Sequence, residues 1–418
     1  MWTKTQRYRW MGTRIPGTEK RRLVVLTGAR QTGKTTLVRS AYPGLRYLNF
    51  DSLQDRERAA DLSASAWGRT VSAAVLDEAQ KAPQVFEKVK LAYDAYEIDF
   101  SVLTGSSRIL LLDQVRESLA GRAFLYELWP LMPSEITHDA DERPPSPLLD
   151  QLLGDEPLQA VMKDAPEVLL GDEAERPRSA LEHLLKWGGM PELLRLDDPD
   201  RKQWLSSYQQ TYLERDVADL ARLRDLEPFR RLQRLCMARA AQLLSYADLS
   251  RDAGVPVTTV RRYLEYLEIS YQVLRLPPFS GNVTSTLVKS PKLFWLDAGL
   301  LRQTLQYWGE AEGALYENLV VAEIHKWVAT LGRDATLSFY RTRSGLEVDL
   351  LIRTPHGVTG FEIKSRPRAV ATDARGLRAL ASVIGDFRGG VVITAGDHIE
   401  CLDADIPIWA VPAYRLFA

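Results

Sequence analysis

The chain has 418 residues, enough for two to four domains of ordinary size. Its 54 lysines and arginines nearly balance 55 acidic residues, and this net charge of −1 excludes a polycation, so any nucleic-acid contact must come from a local basic surface. Two distant cysteines, Cys236 and Cys401, and histidines without paired spacing exclude a disulfide framework and a cysteine-based zinc site. No apolar run reaches the roughly 20 residues of a membrane span, and the first residues lack the apolar core of a secretory signal. A cytoplasmic protein without membrane contact is expected.

The first element in chain order is a phosphate loop. The segment RRLVVLTGARQTGKTTLVRS predicts a buried strand at 23–26, a glycine-rich loop and a helix from about Lys34. Its loop lets backbone N–H groups face phosphate oxygens, while Lys34 supplies a positive charge and the Thr35 hydroxyl a ligand for Mg²⁺. We therefore expect ATP and Mg²⁺ as ligands. The predicted nucleotide-binding residues are Gly28, Ala29, Arg30, Gln31, Thr32, Gly33, Lys34, Thr35 and Thr36.

Two further strands predict the residues of hydrolysis. In VSAAVLDEAQKAP, a strand at 73–76 precedes Asp77, which would hold Mg²⁺ through water, and Glu78, which would polarise the attacking water. The segment DFSVLTGSSRILLL predicts a third strand that ends in hydroxyl residues at 104–107. Ser106 is the candidate there for contact with the γ-phosphate, and an ordinary strand-to-helix turn is the alternative.

These motifs, followed by ESLAGRAFLYELWPLMPSE, run in order over about residues 20–135. They resemble a large family of bacterial and archaeal AAA-type ATPases with GPRQxGKTTL, DEIQK, LTGSS and SLAGR segments, although Ala29 stands where that family usually has proline. The resemblance implies an AAA+ ATPase that acts as a ring, with a hexamer as one option. It also implies Arg122 as the arginine that reaches a γ-phosphate in a neighbouring subunit, with Arg108 and Arg116 as alternatives.

The middle of the chain predicts a connector and a lid. Residues 138–178 are rich in proline and acidic residues, which indicates an insertion or a mobile connector. The segments LLKWGGMPELL and YQQTYLERDVADLARLRD have helical periodicity, and in the resembled family such helices form a lid over the nucleotide. Arg215 would contact nucleotide there or, more simply, form a salt bridge within its helix.

Residues 243–276 predict two helices joined at Gly254, followed by a strand, as in a winged helix-turn-helix. Thr258, Thr259, Arg261 and Arg262 would then face a DNA groove from the start of the second helix. The alternative is a module that only packs against the ATPase. Other basic residues are candidates for a phosphate-binding face, namely Arg230, Arg231, Arg234, Arg251, Lys289 and Lys292.

The last third has the pattern of a nuclease. Alternation along the strands LEVDLLIR and GFEIKS places Asp349, Glu362 and Lys364 at one edge of a sheet, and a preceding helix carries Glu317. Carboxylates that converge near a lysine are what Mg²⁺-dependent phosphodiester cleavage needs. The pattern resembles the PD-(D/E)xK nuclease superfamily, with Val348 in place of the usual proline. This implies a fold and a candidate nuclease site, and the alternative is a nuclease-like fold retained for DNA binding or assembly.

Together these patterns predict an α/β protein with a P-loop AAA+ core (1–137), a connector and helical lid (138–228), a winged helix-turn-helix (229–300) and a restriction-endonuclease-like domain (301–418). The predicted function is a Mg²⁺-dependent ATPase that binds DNA, branched or single-stranded, and remodels it or translocates on it as a ring-shaped homo-oligomer. The alternatives are an ATP-dependent signalling or assembly switch without DNA activity, and an ATP-regulated DNA nuclease.

Overall fold

The computed structural model describes residues 6–106, 108–213, 225–279, 290–310, 313–342 and 345–417. Its first sheet has five parallel strands in the order β2-β3-β4-β1-β5. The strands are Arg22–Thr27 (β1), Arg46–Asn49 (β2), Ala74–Asp77 (β3), Phe100–Thr104 (β4) and Ala123–Glu127 (β5). The helices are Lys34–Ala41 (α1), Leu53–Asp61 (α2), Ala64–Thr70 (α3), Gln84–Asp94 (α4) and Arg108–Ser118 (α5), with 3-10 turns at Trp10–Thr13 and Ala79–Lys81.

This sheet confirms the predicted α/β core. Its interior strand β1, between β4 and β5, is apolar at every position from 23 to 26 and is buried, as expected for a parallel strand covered on both faces. The strand order places β1 beside β4, and β4 beside β3. The carboxyl ends of these three strands therefore meet at one edge, which brings the phosphate loop, Asp77 and Thr104 together.

The segment predicted as a mobile connector is instead part of the core. The helices after β5 are Pro133–Thr137 (α6), Leu148–Leu153 (α7), Leu158–Asp164 (α8), Asp172–Trp187 (α9) and Asp198–Tyr208 (α10), with a 3-10 turn at Pro191–Leu194 and a π-turn at Gln209–Leu213. Leu149 and Leu152 of α7 are buried in one cluster with Trp327 and Tyr414 of the C-terminal part. Arg333 also pairs with Asp150 of α7, through a 2.8 Å bond from Nε to Oδ1.

Residues 227–279 and 290–305 form a helical group with a small antiparallel sheet. The helices are Glu227–Met237 (α11), Tyr246–Ala253 (α12), Val257–Ile269 (α13) and Ala298–Leu305 (α14). The strands Gln242–Leu243 (β6), Val273–Leu276 (β7) and Lys292–Trp295 (β8) pair in the order β6-β8-β7. Ser245 caps α12, and Gly254 adopts the left-handed conformation (φ 67°) that closes the turn into α13.

The C-terminal part is a six-stranded mixed sheet in the order β13-β14-β12-β11-β10-β9. Its strands are Thr336–Arg341 (β9), Glu347–Thr354 (β10), Gly357–Ile363 (β11), Phe387–Thr394 (β12), Glu400–Asp403 (β13) and Ile408–Pro412 (β14). Helices Ala314–Leu331 (α15) and Ala413–Leu416 (α17) pack in the core on one face, and Arg375–Ala381 (α16), after a 3-10 turn at Ala371–Ala374, packs on the other. This further sheet matches the mixed α/β architecture predicted for the end of the chain.

None of the described helices combines the length and apolarity needed to cross a membrane.

The buried His183 of α9 predicts acid sensitivity. Burial, helped by the charge of Arg201, lowers the pKa of His183 from about 6.5 to about 4. Because the unfolded chain takes up this proton first, the folded state should lose stability as the pH falls through this window, by about 2 kcal/mol between pH 7 and pH 5. We expect His183→Leu to reduce the change in the free energy of unfolding between pH 7 and pH 5, measured by urea unfolding, by that amount. An unchanged pH slope in the variant would contradict this origin.

Candidate functional site

The phosphate loop between β1 and α1 has the backbone that its glycines were predicted to allow. Gly28 has φ 150° and Gly33 φ 94°, and a Cβ on Gly28 would lie 2.3 Å from the carbonyl oxygen of Leu128. Lys34, buried at the start of α1, donates to the carbonyl oxygens of Gly28 (3.0 Å) and Ala29 (2.8 Å). The ammonium group is therefore held within the loop, at the N-terminus of a helix.

Asp77 is the centre of a hydroxyl cluster at the same edge. Its Oδ2 accepts hydrogen bonds from Thr35 Oγ1 (2.7 Å) and from the hydroxyl of Tyr47 (2.6 Å), and its Oδ1 accepts one from Thr104. Burial and the bond to Asp77 raise the pKa of Tyr47, so this phenol remains a donor. The structure thus joins the two predicted Mg²⁺ ligands, Thr35 and Asp77.

Glu78 lies beside this cluster in a strained backbone conformation, with φ 52° in a residue that is not glycine. Its Oε2 accepts hydrogen bonds from Gln80 Nε2 (2.6 Å) and Ser106 Oγ (3.1 Å). Ser106, predicted as a γ-phosphate contact, is therefore placed next to Glu78. The remaining hydroxyl of that turn, Ser107, lies outside the described residues.

Oxygen ligands fit the chemistry of Mg²⁺, which typically takes one or two protein ligands together with phosphate oxygens and water. The Thr35 hydroxyl and the Asp77 carboxylate provide such a pair next to the Lys34 ammonium. Within the described part of the chain, no group of three or more histidine, cysteine or acidic side chains is arranged to hold a metal ion by itself.

A cavity of about 420 Å³ opens beside the loop, and the sequence analysis did not predict it. It is lined by residues of the N-terminal segment, of α1 and of the turn after α9, which include Tyr8, Arg9, Gly33, Thr36, Pro191 and Arg195. Arg9 connects the phosphate loop to the segment that follows β5, because it donates to the carbonyl oxygens of Thr32 (2.7 Å) and Trp129 (2.5 Å). In the sequence, the aromatic and basic run at residues 8–10 is the feature that could have indicated this cavity.

Three further residues concern the predicted contact between the helical segment and the phosphate loop. The hydroxyl of Tyr208, at the end of α10, donates to the carbonyl oxygen of Arg30 (3.0 Å), so the helical segment does contact the phosphate loop. Gln31 takes a left-handed conformation, with φ 64°. Arg215 lies outside the described residues.

Arg122 lies far from the phosphate loop of its own chain. It directly precedes β5, whose first residue Ala123 pairs with Leu23 at the start of β1, and so it occupies the opposite edge of the sheet. Its guanidinium binds Asp94 at the end of α4, with 2.6 Å from Nε to Oδ1. Of the alternatives, Arg116 is exposed near Asp113, and the Arg108 side chain is outside the described set. A role for Arg122 in hydrolysis therefore requires a second subunit.

The predicted DNA-facing residues lie together at the start of α13. Thr258, Arg261 and Arg262 are exposed and Thr259 is half-buried. The Arg261 guanidinium stacks 4.2 Å from the ring centre of Tyr246 on α12. In contrast, Lys292 was a candidate for the surface phosphate face, and that prediction is wrong, because the structure buries it on β8.

The predicted nuclease residues converge in the C-terminal part. Asp349 on β10 and Glu362 on β11 lie on neighbouring antiparallel strands, and Glu317 comes from the first turn of α15. Lys364 Nζ lies 2.7 Å from Glu362 Oε1 and 3.8 Å from Asp349 Oδ2. The structure therefore brings together Asp349, Glu362 and Lys364, as the strand alternation predicted, with Glu317 entering from the helix.

Two residues that were not predicted for this cluster, Lys292 and Glu347, also belong to it. Lys292 Nζ lies 3.0 Å from Glu317, 2.5 Å from Glu347 and 3.7 Å from Asp349. Burial and the charge of Asp349 raise the pKa of Glu317 to about 7, although Lys292 opposes this. Burial would lower the pKa of Lys292, but the surrounding carboxylates outweigh it and raise that pKa.

Comparison with known proteins assigns the first part of the chain. Residues 20–137 match an AAA domain family, residues 178–309 a domain of unknown function (DUF8612), and residues 312–415 another domain of unknown function (DUF4143). Together with the parallel sheet and the phosphate loop, the first match makes residues 20–137 a P-loop ATPase domain of the AAA type.

Curated relatives extend over most of the chain. An uncharacterized protein of Mycobacterium tuberculosis is 29% identical over 353 residues, which cover 82% of this chain and 70% of the relative. An uncharacterized protein of Haemophilus influenzae is 23% identical over 325 residues, covering 72% and 73%. Among solved structures, a Walker-type ATPase of Pyrococcus abyssi has a TM-score of 0.41 at 17% identity, covering 68% of this chain and 91% of the other. Another, the Aeropyrum pernix ORC1 protein in complex with DNA, has a TM-score of 0.29 at 16% identity, with coverages of 75% and 90%.

Proposed function

We propose that the chain is a Mg²⁺-dependent ATPase that couples nucleotide hydrolysis to DNA bound by its middle segment. The observation that carries the ATPase part is the cluster at one sheet edge, where Asp77 accepts from Thr35 and Glu78 accepts from Ser106. Thr35 and Asp77 would hold Mg²⁺, which would offset the negative charge of the ATP phosphates. The cavity beside Tyr8 and Arg9 would take the nucleoside end of ATP.

Each residue of the cluster has a defined part in this proposal. Lys34 would exchange its loop carbonyls for phosphate oxygens, and Thr35 and Asp77 would hold the metal. Glu78 would orient the attacking water and accept its proton, while Gln80 and Ser106 hold that carboxylate in place.

The proposed DNA-binding part is a winged helix formed by residues 229–300. Two helices joined at Gly254 precede the strands β7 and β8, and the start of α13 presents a hydroxyl and two guanidinium groups to solvent. This exposed helix start has the size and charge that suit a major groove. The remaining assignments, a helical lid in the later part of 138–228 and a nuclease-like fold at 301–418, belong to the same proposal.

A direct contact would transmit the nucleotide state to this part. Tyr271 follows α13 and donates from its hydroxyl to Thr27 Oγ1 (2.6 Å), one residue before the phosphate loop. Tyr271 also shares a buried cluster with Ala29 of the loop and with Trp129. A shift of the loop on ATP binding would therefore act on the end of α13.

The test measures ATP hydrolysis with and without duplex, single-stranded, forked and four-way DNA, together with DNA binding at several salt concentrations. We expect stimulation by at least one DNA form and binding that weakens with salt. The double variant Arg261→Glu/Arg262→Glu should lose stimulation but keep basal hydrolysis. The control Arg58→Glu/Arg69→Glu makes the same charge change on α2 and α3 and should behave as the wild type. Failure to bind any DNA at low salt with nucleotide present would reject this function.

A second candidate is a nucleotide-driven assembly or signalling switch, which the same Tyr271–Thr27 contact favours. It predicts slow hydrolysis that no DNA changes, and an ATP-dependent change in mass or shape. A ring assembly is part of the first proposal, and Arg122 would have to leave Asp94 to reach a neighbouring nucleotide. Light scattering with and without ATP, on the wild type and Arg122→Ala, tests the assembly, and the DNA dependence of hydrolysis separates the two functions.

A further inference from the structure

The carboxylate cluster of the C-terminal sheet contains a buried lysine where a nuclease would need a metal ion. Lys292 comes from β8 of the small sheet, whereas Glu317 belongs to α15 and Glu347 and Asp349 to β10. The Lys292 side chain is only 4% exposed, while that of Lys364, the lysine of the E-x-K motif, is 26% exposed. The two lysines therefore occupy different positions, one enclosed and one at the rim.

We propose that Lys292 is the resident cation of this site and that the site binds no divalent metal while its ammonium group is present. Three carboxylates lie within 3.7 Å of Nζ. A Mg²⁺ ion holds its oxygens at about 2.1 Å, so an ion between any two of these carboxylates would lie against the ammonium group. The repulsion between the two cations, beside a lysine side chain that is only 4% exposed, excludes joint occupancy.

Other oxygens of the cluster are also engaged. Asp349 Oδ2 accepts the backbone N–H of Ile363 (2.9 Å), Glu362 Oε1 binds Lys364, and Glu347 Oε2 lies 3.1 Å from Arg341. Among the described residues, the buried Glu362 Oε2 has no hydrogen-bond partner. This free carboxylate oxygen supplies a single position of an octahedral Mg²⁺ ion, so it does not replace the carboxylates that Lys292 occupies.

The carboxylate cluster around Lys292 therefore has a structural role, although its acids have the pattern of a catalytic site. The Lys292 ammonium joins β8 of the small sheet to α15 and β10 of the large one. The acids of the candidate nuclease site are thus used in an ion-pair cluster between two parts of the chain. This inference does not rest on the proposed ATPase and DNA functions: Lys292 lies on β8 of the proposed winged helix, but it is buried and is separate from the phosphate loop and from the exposed start of α13.

The experiment measures Mn²⁺ binding to nucleotide-free protein by loss of the free-Mn²⁺ resonance signal. Wild type and Asp349→Asn should bind equal amounts, which shows that no Mn²⁺ occupies this cluster. Lys292→Met should bind one further equivalent, because its three carboxylates lose their cation, and Lys292→Met/Asp349→Asn should not. Mn²⁺ should also raise the thermal midpoint of Lys292→Met by several degrees more than that of the wild type.

Two results would overturn the proposal. One is a metal ion in the wild-type cluster. It would be seen as one equivalent of Mn²⁺ that binds the wild type but not Asp349→Asn, or as Mg²⁺-dependent DNA cleavage by the wild type that Asp349→Asn lacks. The other is a folded Lys292→Met that binds no additional ion. If Lys292→Met does not fold, Lys292→Gln replaces it with the same expected gain, and the wild-type comparison stands on its own.

Discussion

Glu78→Gln is expected to slow ATP hydrolysis by about 10²- to 10⁴-fold, the usual contribution of a general base. Glutamine keeps the shape of the side chain and can still bond to Ser106 and Gln80, but it cannot take a proton from water. Binding of ATP should stay near the wild-type value, since Lys34 and the loop are unchanged. Single-turnover hydrolysis and fluorescent-nucleotide binding measure the two quantities separately.

Lys34→Ala is the matched comparison, because it should lose binding as well as turnover. If Glu78→Gln hydrolysed ATP at the wild-type rate, the base would have to be another group of this edge. If it lost binding and turnover together, Glu78 would act on the loop and not on water.

Asp297→Ala is expected to lower the free energy of unfolding by about 3 kcal/mol or more. Asp297, which caps α14, is fully enclosed, and its two oxygens accept the N–H groups of Leu300 (3.0 Å) and Gly189 (2.9 Å). Burial raises the pKa of this carboxyl. Its removal would leave at least two buried N–H groups without partners, at about 1–3 kcal/mol each.

The measurement is the urea midpoint of the first unfolding transition. Asp113→Ala is the control, since Asp113 is exposed and only 3.8 Å from Arg116 within one helix, an arrangement worth well under 1 kcal/mol. Equal midpoints for the two variants would show that the turn at Gly188–Gly189 is held by other contacts. We expect a lower midpoint for Asp297→Ala, because the turn and α14 pack closely around this carboxyl. A Cβ on Gly299 would lie only 1.9 Å from the carbonyl oxygen of Trp187.

The phosphate loop illustrates what local sequence predicts well. The strand, loop and helix at residues 22–41 are consecutive, and each has its own signal in a few residues. Asp77 and Glu78 were placed by the same logic, because they directly follow a short apolar strand. Tyr47 was missed, since the short strand that carries it has no comparable pattern and its partner Asp77 is 30 residues away.

Prediction failed where the partner of a segment is far away in the chain. The leucines of α7 looked like part of a connector because proline and acidic residues surround them. Their partners, including Trp327 and Tyr414, come from more than 170 residues later. Lys292 was read as a surface cation for the same reason, since nothing near it in sequence indicates the carboxylates that enclose it.

The parallel sheet with its nucleotide loop was predictable from the amino-acid sequence, as was the alternation that brings Asp349, Glu362 and Lys364 to one edge of a sheet. These features follow from short-range periodicity and from backbone requirements at glycine. Three other features became visible in the folded chain alone: Arg122 faces away from its own loop, Tyr271 touches Thr27, and Lys292 fills the carboxylate cluster. Each of these depends on how separate elements pack, because burial and charge neutralisation are set by neighbours that the local sequence does not specify.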